Sequence, residues 1–77
     1  MDEIITIDCR YMEPPEPMVR VLEAVEALKL DQKICMIHRK KPVPLFDKLS
    51  EKGMDFDWKD LGSHYEILIW KLGPNTN

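Results

Sequence analysis

The sequence predicts an α/β (α+β) two-layer sandwich in the order β-α-β-α-β-β, and three observations carry that prediction. Two short apolar runs, EIITID and KICMIH, flank a stretch whose apolar residues recur every three or four positions. A second stretch of that kind, again opened by prolines, follows the second run. Two segments then close the pattern, the first alternating strictly and the second apolar on both faces, joined by a short polar connection.

Taken in order, residues 3–8 form a strand rich in β-branched isoleucine and threonine. Pro14, Pro15, Glu16 and Pro17 then make a stiff corner that opens a helix. The first N–H groups of any helix lack intrahelical partners, so proline loses nothing there. We place the N-cap near Pro14 and the first turn at Pro15 to Met18. Glu16 sets a negative charge at the positive end of the helix dipole. Met18, Val21, Leu22, Val25 and Leu28 give the inner face, and the helix is expected to reach about Lys29, with Leu30, Asp31 and Gln32 turning the chain.

Residues 33–38 lack alternation, which suits a strand buried on both faces, so Cys35 is expected in the core. A basic corner, Arg39, Lys40 and Lys41, leads into Pro42, Val43 and Pro44. A second helix starts there, with Leu45, Phe46 and Leu49 inward and Gly53 just past its end. Met54, Phe56 and Trp58 alternate with Asp55, Asp57 and Lys59 in a third strand. Asp60, Leu61, Gly62 and Ser63 form the connection to a fourth strand over about 64–71. That strand carries Tyr65, Ile67 and Ile69 on one face and Leu68 and Trp70 on the other.

At 77 residues the chain reads as a single domain, 1–77, with a small core and marginal stability. Its 44% hydrophobic content excludes disorder, and the net charge of −3 argues against a nucleic-acid or acidic-membrane partner. No apolar run approaches the roughly 20 residues of a membrane span, and Met1, Asp2 and Glu3 do not read as a signal peptide, so a cytoplasmic protein is expected. The tail from Gly73 to Asn77 is expected to fray.

The corner resembles the signature of the TusA/SirA family of small sulfur carriers, a strand ending in Asp followed by a loop and Cys-Pro-x-Pro at a helix start. Asp8, Pro15, Glu16 and Pro17 occupy matching places, while Pro14 stands where the family's sulfur-accepting cysteine would be. The likeness is to a branch of TusA-like domains lacking that cysteine. It implies a four-stranded mixed sheet of order 1-2-4-3 with two helices on one face. It also implies a setting in sulfur or redox metabolism.

In open α/β sheets ligands gather beyond the carboxyl ends of the parallel strands. In the implied order that edge collects Asp8, Cys9, Arg10, Tyr11 and Glu13, then Glu16 at the helix start, His38, Arg39, Lys40 and His64. Cys9 is the candidate thiol for sulfur transfer, since a carrier needs a thiolate near cations or a helix N-terminus. His38 and His64 are candidate metal ligands, although no Cys-x-x-Cys or His-x-x-x-His spacing supports a site. Arg39, Lys40 and Lys41 are the patch an RNA would use. A Cys9–Cys35 disulfide is not expected, because several residues of strand rise separate them. The expectation is a small binding or accessory module that needs no cofactor and is not an independent enzyme. Its expected partner is a protein met near Tyr11, Met12 and Glu13, with a homodimer through the open sheet face as a second contact. Persulfide transfer through Cys9 is the alternative function, and RNA or metal binding a further one.

Overall fold

The computed structural model describes residues 3–72, so both the acidic start at Met1 and Asp2 and the tail expected to fray lie outside the described residues. The elements are β1 (Glu3–Asp8), α1 (Glu16–Ala27), β2 (Gln32–His38), α2 (Val43–Glu51), β3 (Met54–Asp60) and β4 (Tyr65–Lys71). They form one four-stranded mixed sheet of order β1-β2-β4-β3. β1 and β2 are parallel, and β4 runs antiparallel to both of its neighbours.

The core lies on one face of this sheet. Ile34 and Met36 of β2 and Ile67 and Ile69 of β4 meet Val21, Val25 and Leu28 from the first helical segment and Leu45 and Leu49 from the second. Both helices therefore cover the same face. At the far end Phe46 stacks on Phe56, with ring centroids 4.3 Å apart, and this tethers α2 to β3.

Two boundaries differ from expectation. The N-cap of α1 is Pro15, one residue later than the sequence suggested. Pro15 has φ −94° and ψ 13°, off the helical values, so the regular turns begin only at Glu16. The other end stops at Ala27, short of Lys29. There the Gln32 side-chain oxygen accepts the Lys29 N–H at 3.0 Å and the Lys29 carbonyl accepts the Gln32 N–H at 3.0 Å, closing a tight turn.

β2 is not buried on both faces. Ile34 and Met36 are in the core, while Cys35 and Ile37 face the open side, so the expected core position of Cys35 is corrected. With both helices on one face, the opposite face has no covering layer. The register sets three rows there. The first is Ile4, Lys33, Trp70 and Asp55; the second Thr6, Cys35, Leu68 and Asp57; the third Asp8, Ile37, Glu66 and Lys59. The expected assignment of Leu68 and Trp70 to one face and Ile67 and Ile69 to the other holds. His64 falls just before β4, where its carbonyl accepts the Leu61 N–H at 2.9 Å across the hairpin loop.

Candidate functional site

α1 follows β1 and α2 follows β2, and β1 and β2 are parallel. Both helices therefore begin at the carboxyl edge of the sheet. Each starts in the same way, with proline at the N-cap (Pro15, Pro42) and again at the second helical position (Pro17, Pro44). Neither cap makes a side-chain hydrogen bond. The turns are closed by backbone instead, with Glu16 N–H to Glu13 O at 2.9 Å and Val43 N–H to Lys41 O at 2.9 Å.

On β1, Asp8 takes Arg10 in a two-pronged ion pair, Nε to Oδ1 at 3.0 Å and Nη2 to Oδ2 at 2.8 Å, and also accepts the Arg10 N–H. These hydrogen bonds hold the Asp8 carboxyl down to about 2, and raise the Arg10 guanidinium above its usual value. The Arg39 Nε–H donates to the Arg10 carbonyl at 2.7 Å and so fastens the two loops together. Tyr11 lies within reach of both guanidiniums, its ring centroid 5.7 Å from that of Arg10 and 5.3 Å from that of Arg39, and is 80% exposed.

His38, at the end of β2, accepts the Arg39 N–H on Nδ1 at 3.0 Å, which leaves its proton on Nε2. Burial, and then the charge of Lys40, hold this imidazole below its ordinary value. Lys41 lies 3.9 Å over the ring of Trp58, which also tilts against Tyr65. The Lys41 ammonium thus caps the ring of Trp58, a residue still 38% exposed.

The edge thus assembles Asp8, Arg10, Tyr11, Glu13, His38, Arg39 and Lys40 as the sequence suggested. Arg10, Tyr11, Glu13, Pro14, His38, Arg39 and Lys40 share one cavity of about 340 Å³. Glu16 is exposed at the start of α1 and lines neither this cavity nor the adjoining one. His64 reaches the same end, next to Tyr65, the partner of His38, but its ring pairs with Ser63 Oγ at 2.9 Å. Among the described residues no three His, Cys, Asp or Glu side chains gather into a group able to hold a metal ion.

Cys9 is the correction within the set. Its backbone continues the edge, Cys9 N–H donating to Ile37 O at 2.7 Å, but its side chain turns into the core and is 0% exposed. Burial first, and then the Asp8 charge, push the thiol up, away from the thiolate that sulfur transfer needs. Both cysteines are free, as expected.

Sequence reasoning missed the adjoining cavity. A groove of about 280 Å³ opens between the two helix starts, walled by Pro14, Pro15, Pro17, Pro42 and Pro44 and floored by Met18, Met36 and Leu45. His38, Lys40 and Lys41 form its rim, so it shares Pro14, His38 and Lys40 with the cavity beside Tyr11. The repeated Pro-x-Pro, at 15–17 and at 42–44, was the available signal.

No described helix is long and apolar enough to cross a membrane. No curated protein and no solved structure matches the chain. Residues 6–71, which span β1 to β4 and the whole of the edge just described, match the model of an uncharacterized conserved protein family, DUF2249, and the chain belongs to that family.

Proposed function

We propose that this domain is a non-catalytic binding module of the cytoplasm that docks a protein partner at the carboxyl edge of its sheet. The TusA likeness suggests a role in sulfur or redox metabolism. The observation that carries the reading is Tyr11, 80% exposed with the guanidiniums of both Arg10 and Arg39 near its ring. An aromatic ring fixed by two guanidiniums loses little freedom on contact, and Tyr and Arg are the residues that most often anchor protein interfaces. The thiol position of a carrier is proline here, and Cys9 is turned inward.

The test places a photo-crosslinking residue at Tyr11 in the native host and compares it with one at Glu51, exposed at the end of α2 away from both the carboxyl edge and the open face. Discrete crosslinks at position 11 that vanish in Arg39→Glu support the reading. Equal crosslinking at both positions sinks it. A native mass spectrum of gently isolated protein supplies the second check: added sulfur that disappears in Cys9→Ser would restore persulfide transfer.

A homodimer through the open face is the companion proposal. It is favoured by Ile4, 57% exposed, beside the half-buried Leu68 and Trp70. The outer rows carry Lys33 with Asp55 and Glu66 with Lys59, so each copy presents both signs to a second one.

A further inference from the structure

We propose that the groove between the two helix starts binds a small monoanionic amphiphile, a carboxylate carrying a short hydrocarbon chain. This deepens the reading of the carboxyl edge as the recognition surface and rests on it.

The walls decide what can enter. The five prolines have no N–H to offer, and Met18, Met36 and Leu45 beneath them present only hydrocarbon and thioether. A polar group placed between them would leave its hydrogen bonds unmade, so the inserted part is apolar. That same feature argues against an inserted peptide backbone, whose carbonyls would find no amide donors along these walls. At about 280 Å³ the groove lies at the small end of ligand sites, which suits a short chain. Prolines are also stiff, so the groove is formed before anything enters it.

The rim decides the head group. No acidic side chain among the described residues lines the groove, although the chain as a whole is acidic. Two helix N-termini converge here; Glu16 already offsets the dipole of α1, while α2, with no acidic residue in its first turn, keeps its positive end uncompensated. Lys41 is engaged over Trp58, while Lys40 has no carboxylate partner among the described residues. His38 keeps its Nε2–H as the ring's remaining donor. One ammonium and one imidazole N–H match the two oxygens and the single charge of a carboxylate, and are too few for a phosphate dianion.

The experiment is a titration of the intact protein with butanoate, hexanoate and octanoate, followed by methyl and imidazole NMR. The expected result is that the Met18, Met36 and His38 signals move first. Affinity should then rise roughly fourfold per added methylene until the tail outgrows the groove. Octan-1-ol should bind more weakly than octanoate, and Lys40→Ala should narrow that preference, lowering octanoate affinity about two- to fivefold without changing that of the alcohol. Met18→Trp, at a half-buried position, should fill the groove and abolish binding while leaving the amide spectrum folded. Flat affinity along the series, or shifts confined to the open face around Cys35 and Leu68, would overturn the proposal. If octanoate fails but the Tyr11 crosslinks persist, the ligand class falls and the partner edge stands. If octanoate binds and the crosslinks do not form, the groove stands and the partner reading falls.

Discussion

His38 is held neutral by its surroundings: the Arg39 amide occupies Nδ1, and burial and Lys40 disfavour a second proton. A base with a lowered pKa binds fewer protons folded than unfolded. The domain should therefore lose stability as pH falls from the usual 6.5 through the lowered value, and Lys40→Ala should move the His38 NMR midpoint upward. Asp8 behaves in the opposite chemical sense. Its carboxyl should titrate near 2, and the stability from its pairing with Arg10, present in full above the ordinary 3.8, should be lost as pH falls from there through about 2. Arg10→Gln should return the Asp8 midpoint toward 3.8. The two thiols separate by position. Iodoacetamide should label Cys35, half-buried on the open face, in the native protein and label Cys9 only on unfolding. Sequence spacing placed Asp8, Tyr11 and His38 at one edge but could not tell which way Cys9 turns. A strand-end residue alternates to one face or the other, and the choice depends on where the helices lie.

At the scale of elements, Gly53 ends α2 with φ +74°, and a Cβ there would touch nothing within 4 Å. Gly53→Ala should thus cost backbone strain without a clash, about 1 kcal/mol by urea denaturation, and Gly53→Asn should cost less. The strands and both proline-led starts were readable because periodicity and missing N–H groups act locally. The end of α1 was not. It is fixed by Gln32, whose side chain bonds Lys29 and also reaches Glu3 of β1 at 3.1 Å, a contact 29 residues away in sequence. The groove escaped for a related reason. Each Pro-x-Pro reads as helix initiation by itself, and only their adjacency in space makes a wall.

For the whole molecule, one small core does the stabilising, and 77 residues leave little in reserve. Leu49, fully buried where α2 meets the sheet, should show this: Leu49→Ala should cost about 2–5 kcal/mol, a large share of the roughly 5–15 kcal/mol typical of a domain, read from the urea midpoint. Leu68→Lys, on the uncovered face, should leave that midpoint nearly unchanged while converting any dimer to monomer in sedimentation. The strand order came from the TusA likeness and is the order observed. Composition does not encode it, because β2, β3 and β4 could pair in sequence order with the same apolar pattern.

That order has a consequence for how the chain folds. β4 sits between β2 and β3, so until it is in place β3 has no strand partner and β2 is paired on one side only, with β1. The β3–β4 hairpin can form early and locally, in about 1–10 μs. The free edge of β2, in contrast, waits for that hairpin to dock across α2, a non-local pairing of Lys33 with Trp70 and of His38 with Tyr65, and so a slower step. During that interval the apolar β2 keeps one row of N–H and C=O groups unpaired and open to neighbouring chains. The hazard to this domain is therefore concentrated in the docking step of its own folding, and refolding from urea should aggregate increasingly with protein concentration while the native protein at the same concentrations stays dispersed.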